Sequence, residues 1–452
     1  MGRFKHIVGS LIISHIILST GSVGAASDFR DLVPVPERRA LLNGMRFWFF
    51  DHSGKTCPFV LMVENGAAFD PLDKWGATNL MVQVLLNNLE RENYLEELTA
   101  RGIQLHGKAD WDALYFFGEA PPDQLEFALL TLADLLVRPD FPESSFQSLR
   151  DKAIEQLRST ADDPFRSLGE AVRERLFGPH PYAHPIIGTE ESLRGLYVRD
   201  LKIQARRLLL PNQACLAIAY SGDRDALFRR LSRRWGAWVR GEAVPFTFRR
   251  ADPPREPQIL FREAAPGKSI LRWSALIPER GSGEFLTFKT FEQYLLLSLP
   301  DLAETVTGTG QIQGTVEVEA RKMYGVLELA VQLEDKYLVA FLDRFQQWMD
   351  QTLEGDIDEG RLAEAKRLVL QDYGRALEDP YLRLFAVLET DLYKQGSAFL
   401  MTLETRLERI TAQRFVRDLS GNLSARSWVA AVSGNPGLVE GLERFGVLVR
   451  LH

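Results

Sequence analysis

Asn79 and Gln83 stand four residues apart in the run GATNLMVQVLLNN, residues 76–88, whose apolar periodicity predicts a helix from Gly76 to about Ala100. That spacing places both side chains on one helix face, as in sites where a helix offers two donors to one metal ion. The chemistry is wrong for the geometry, because neutral amides are poor zinc ligands and Val82, beside them, accepts no proton. His180 and His184 in HPYAH share the spacing, but Pro181 and Pro185 exclude the helix that would align them, so they read as structural. His52 falls in a predicted turn and reads as solvated. Cys57 and Cys215 sit in the strand-like runs TCPFVLMV and ACLAIAY, where a bridge and two buried free thiols both remain open. Neither run is an electropositive setting that would activate a thiolate. The chain holds no Gly-x-Ser-x-Gly, and TGTGQIQGT lacks the Lys and the strand-loop-helix context of a phosphate cradle.

The elements that must position such residues belong to a globular chain of 452 residues, 45% hydrophobic and 25% charged, a length that implies two to three domains. A net charge of −7, from 54 basic and 61 acidic residues, gives no electrostatic reason to expect a nucleic-acid partner. Arg3 and Lys5, the apolar run IVGSLIISHIIL and the small residues STGSVGAAS follow one another in the order of a secretory signal. Residues 1–26 are therefore expected to be a cleaved signal and the chain periplasmic, with a retained N-terminal anchor as the alternative.

Aromatic and β-branched residues in MRFWFFDHSGKTCPFVLMVENG predict two strands around a turn at Asp51–Gly54, and alternation in GIQLHGKADWDALYFFGEAP predicts a hairpin. Prolines and mixed charge break every period from Val239 to Pro257. The expected division is a domain over 30–240, a linker over 241–257 and a domain over 258–452. Val-Arg-Asp-Leu recurs at 198–201 and 416–419, each time ahead of an apolar strand ending in Ser-Gly-Asp or Ser-Gly-Asn, so the two domains read as copies of one α+β unit.

The first half resembles the pitrilysin/insulinase zinc metallopeptidases, which include the mitochondrial processing peptidases. GIQLHGKADWDALYFFGEAP is similar to that family's strand pair and keeps Gly102, Asp112 and Tyr115, and residues 132–164 and 176–193 run close to family sequence. The resemblance implies an α+β fold of two homologous halves. Each is a mostly antiparallel sheet packed with helices, together forming half of a clamshell chamber in which an unfolded peptide adds to a sheet edge. It also implies where His-x-x-Glu-His and a distant Glu ligand should stand. Those positions are Asn79, Val82, Gln83 and Gln156, so the resemblance implies a degenerate member with no catalytic residue, no metal and no cofactor.

The family's companion subunits carry an Arg and a Tyr in the second half, whose positions fall on Thr307 and Gln313. Arg321 and Tyr324 in ARKMYG lie close by as substitutes, and His106 takes the place of an Asn that orients substrate backbone, so these three are candidate peptide contacts. The expected function is that of a secreted, inactive homologue serving as the chamber subunit of a heterodimeric zinc peptidase, its partner a second family chain with intact His-x-x-Glu-His. The alternative is a standalone envelope peptide-binding or scaffold protein.

Overall fold

The computed structural model describes residues 29–91, 94–423 and 427–451, so the expected signal at 1–26 lies outside the described residues. Six strands of the first half form one sheet: β1 (Glu37–Ala40), β2 (Arg46–Phe50), β3 (Cys57–Glu64), β4 (Gln104–Ala109), β5 (Ala113–Ala120) and β6 (Ala214–Ala219). The second half repeats this with β7 (Gln258–Glu263), β8 (Lys268–Ile277), β9 (Gln313–Ala320), β10 (Gly325–Glu334), β11 (Trp428–Gly434) and β12 (Val447–Arg450). The sheet orders are β1-β2-β6-β3-β5-β4 and β12-β7-β11-β8-β10-β9. Five strands in each therefore correspond one to one, with β2–β6 and β7–β11 both parallel and the meander β6-β3-β5-β4 antiparallel like β11-β8-β10-β9. Only the outer strands differ, since β1 precedes its sheet and runs antiparallel whereas β12 follows its sheet and runs parallel.

The helices of nine residues or longer among the described residues are α1 (Ala77–Arg91), α2 (Leu125–Val137), α3 (Glu143–Ser159), α4 (Pro164–Phe177), α5 (Val198–Leu208) and α6 (Arg224–Gly236) in the first half. The second half has α7 (Phe285–Thr307), α8 (Asp335–Glu354), α9 (Glu359–Glu378), α10 (Pro380–Leu392) and α11 (Ala412–Ser420). No described helix is long and apolar enough to cross a membrane. The repeated Val-Arg-Asp-Leu opens α5 but falls late in α11, so the tetrapeptides are not equivalent although the helix-strand units are. Asp223 and Asn435, closing the two copies, both cap the helical turn that follows.

The strands predicted on either side of Asp51–Gly54 form, but they are not neighbours. β6, whose residues are all buried, lies between them, and the loop crosses its end by exchanging hydrogen bonds between the His52 backbone and Ser221 Oγ at 2.8 and 2.7 Å. Local sequence specifies a strand; its partner is chosen by the apolar surface it covers. The β3–β6 register sets Met62 opposite Cys215 and Phe59 opposite Ile218, so Cys57 lies five residues further along from Cys215's level, about 17 Å at strand rise. A disulfide cannot span that, and both thiols are buried and free. Burial pushes the Cys57 thiol up to about 11 and Cys215 further.

The halves exchange helices. α4, from the first half, packs on β11 and β8 of the second sheet, while α10 of the second half packs on β3 and β6 of the first. Phe385 of α10 meets Tyr115 and Phe117 of β5 at ring separations of 5.4 and 5.6 Å. Gly169 of α4 admits the Arg272 guanidinium of β8, which a Cβ there would meet at 2.8 Å. Residues 239–257 have no regular structure, yet they are not a loose tether: Phe246 and Phe248 cluster with Phe69 at 5.4 and 5.0 Å.

Candidate functional site

α1 is launched by a polar knot. Gly76, at φ 91°, allows the tight entry, and the Asp70 carboxylate accepts from Gly76 N at 2.8 Å and Thr78 N at 2.9 Å, satisfying amides that the first turn leaves unpaired. Burial raises the Asp70 carboxyl to about 6 against the pull of these hydrogen bonds. The helix then presents Asn79, half-buried, and Gln83, exposed, to a cleft of about 520 Å³ between the halves. Val82 is fully buried instead. β4 packs on this face of α1 at Gly107, where a Cβ would meet Val82 Cγ1, Leu86 Cδ1 and Phe116 Cδ1, each at 3.1 Å.

The edge strands β4 and β9 both contribute to the cleft, through Gly107, Lys108 and Ala109 on one side and Glu317 and Glu319 on the other. Its end is closed where two hairpin turns interlock. Arg321, in the β9–β10 turn, pairs with Asp110, in the β4–β5 turn, and with Glu319, which Arg173 of α4 also holds. The Trp111 ring lies under both guanidinium groups, each 4.4 Å from its centre. Beside it, Asp112 accepts from the Tyr182 hydroxyl and from Lys322 N at 3.0 Å. Arg173 and Arg321 hold the Glu319 carboxyl down at about 2 in spite of burial.

Asn79, Gln83 and Arg321 thus meet at one cleft, with Val82 behind its wall. Gln156, exposed on α3, is not among the cleft residues. Nor is His106, whose ring lies 5.7 Å from Phe117 and whose pKa burial lowers, nor Tyr324, which packs edge-on against His180 at 5.2 Å. Thr307 bonds to its own helix end and Gln313 is exposed at the start of β9. His180 and His184 flank the short helical turn Pro181–Ala183, both buried. His180 Nδ1 accepts from Tyr182 N at 3.1 Å, and the His184 ring stacks on Trp75 at 5.5 Å. Burial lowers each to about 4.

Sequence reasoning passed over Lys108, Trp111, Arg173, Arg272, Glu317, Glu319 and Glu328 of this cleft. The alternation in TVEVEA carries a signal for two of them, since it sets Glu317 and Glu319 on the face opposite Val316 and Val318.

A zinc ion does not fit these residues. Two neutral amides and a distant exposed amide supply no anionic or imidazole donor, and Val82 supplies no base. Among the described residues no group of three or more His, Cys, Asp or Glu is placed to hold a metal ion.

Residues 50–190 match the Insulinase (Peptidase family M16) profile. An uncharacterized zinc protease of Mycobacterium leprae is 24% identical over 185 residues, 40% of each chain. A protein of Helicobacter pylori named as a non-peptidase homolog is 22% identical over 209 residues, 45% of this chain and 48% of that one. The chain thus matches less than half the length of these curated relatives. Among solved structures, a peptidase M16 inactive domain from Pseudomonas fluorescens superposes with TM-score 0.79 at 16% identity, over 88% of this chain and 98% of that one. A protease from Helicobacter pylori does so with TM-score 0.80 at 13% identity, over 89% and 100%. Residues 50–190 are thus similar to the insulinase (M16) peptidases and the chain as a whole shares the fold of M16-like structures, while its sequence holds no His-x-x-Glu-His.

Proposed function

We propose that this chain is the non-catalytic, substrate-holding subunit of a two-chain zinc peptidase of the cell envelope, reached by secretion across the inner membrane. The observation that carries this reading is a cleft lined by two sheet edges and faced by Asn79 and Gln83, which the resemblance expects at metal-ligand positions. An edge strand offers unpaired N–H and C=O groups to an extended peptide, so peptide can be held without a metal. Cleavage then falls to a partner chain with intact His-x-x-Glu-His. The names of the Helicobacter and Pseudomonas proteins support the non-catalytic part.

The test is affinity purification of the tagged full-length chain from its native envelope, with metal analysis and an unfolded-peptide hydrolysis assay. The chain alone is expected to hold no stoichiometric zinc and to cleave nothing. Its complex is expected to contain a second chain, zinc and chelator-sensitive activity. Zinc-dependent hydrolysis by the isolated chain overturns the proposal, and recovery with bound peptide but no companion replaces it with the standalone binding protein.

A further inference from the structure

Most charges lining the cleft are answered within the protein. Glu319 is held by Arg173 and Arg321, Arg321 also by Asp110, and Glu328 by Arg272. Two are not. Lys108, on the edge strand β4, has no carboxylate of the described residues within 4.0 Å of its ammonium group, which lies 5.3 and 5.8 Å from the ring centres of Tyr115 and Phe385. Glu317, on the edge strand β9, has no cation of the described residues within that distance, and its cross-strand neighbour on β10 is another carboxylate, Glu328. Both side chains are half-buried.

A charge drawn out of water without a counter-ion is costly to the fold, and like charges facing across a strand pair destabilise it. Both groups carry the mark of that cost: burial lowers the Lys108 ammonium although Asp110 and Glu389 act on it from beyond ion-pair distance, and burial with the neighbouring carboxylates Glu319, Glu328 and Glu292 raises the Glu317 carboxyl to about 7 although Lys289 opposes the shift. Unanswered charges of opposite sign on the two edges that line one cleft are complementary to a ligand bringing both signs. We infer that Lys108 and Glu317 are specificity residues of the cleft, selecting extended peptides that carry a carboxylate toward β4 and a Lys or Arg side chain toward β9. This rests on the peptide-holding reading above and adds which peptides are held. The carboxylate has two sources, an Asp or Glu side chain or the peptide's C-terminus.

The probe is a set of nine-residue peptides in one Ala/Thr/Val background, with Glu or Gln at one position and Lys or Gln at another, each as free acid and as C-terminal amide. Binding to the full chain is measured by fluorescence polarisation. The Glu-Lys peptide is expected to bind about tenfold more tightly than the Gln-Gln peptide, the size of one charge-assisted hydrogen bond. Lys108→Met is expected to abolish the Glu-over-Gln preference and Glu317→Gln the Lys-over-Gln preference. Lys108→Met is also expected to raise the melting temperature, because it removes an unanswered ammonium, which separates lost recognition from lost folding. A Glu-over-Gln preference assigns the carboxylate to a side chain, and tighter binding of the free acid than of the amide, whichever residue stands at that position and lost in Lys108→Met, assigns it to the terminus. Equal binding of all peptides, with both variants like the parent, overturns the inference and leaves peptide holding intact. No binding of any peptide by the parent overturns both.

Discussion

Val82, at the position where the sequence resemblance expects a general base, is enclosed by its neighbours. Fully buried against Gly107, Leu86 and Phe116, it has become a packing residue. A carboxylate there would be enclosed by apolar atoms, so Val82→Glu is expected to destabilise the chain by about 3 kcal/mol in urea titration. Asn79→Ala and Gln83→Ala, at positions open to the cleft, should cost less than about 1 kcal/mol each. The helical spacing of these positions is legible in the sequence; the burial of the middle one is not, because it depends on a strand twenty-five residues downstream. His180 and His184 give a second residue-scale prediction. Both are held neutral by burial, at about 4 in the folded chain against an ordinary value near 6.5. A histidine with a lowered folded pKa binds its proton first in the unfolded chain, so its contribution to stability is present above about 6.5 and declines as pH falls toward 4. His180→Gln should therefore flatten the loss of stability between those pH values relative to the parent, as followed by thermal melts across that range.

The hairpins at 104–120 and 313–334 carry the junction of the two halves at the element scale. Each is readable from its own alternation, but the pairing of one turn with the other is not. Arg321 and Asp110 are 211 residues apart, and nothing local marks them as partners. The same limit explains why β2 and β3 looked adjacent: β6, which separates them, comes about 150 residues later. The interlock concentrates buried charge, with Asp110, Asp112 and Arg321 all nearly inaccessible. Removing one member leaves the others unanswered, so Arg321→Met is expected to cost about 3–5 kcal/mol. If the clasp acts as a unit, Asp110→Asn should cost markedly less in an Arg321→Met background than in the parent, a coupling that a double-mutant cycle in urea measures directly. Additive losses would show that the turns touch without holding the halves.

At the scale of the molecule, duplication is partly legible, through the two apolar strands closing in Ser-Gly and through the break in periodicity between 239 and 257. The exchange of helices is invisible to sequence, because α4 and α10 are amphipathic in the ordinary way and either could cover its own sheet. The structure has each cover the other half's sheet, and Phe246 and Phe248 fasten the intervening segment down as well. Neither half can then bury its sheet alone: without α10, the faces of Tyr115 and Phe117 lose their cover, and without α4 the apolar face of β8 and β11 does. Fragments 29–240 and 258–452 expressed separately are expected to bind a hydrophobic dye and to lack a cooperative melt. The intact chain is expected to unfold in one transition, with tryptophan fluorescence and far-ultraviolet circular dichroism coincident. Two separated transitions would mean that the halves are independent domains and that the cleft between them can change its width. Coincident ones mean that its width is set by the same packing that folds the chain, as a preformed wall for a peptide requires.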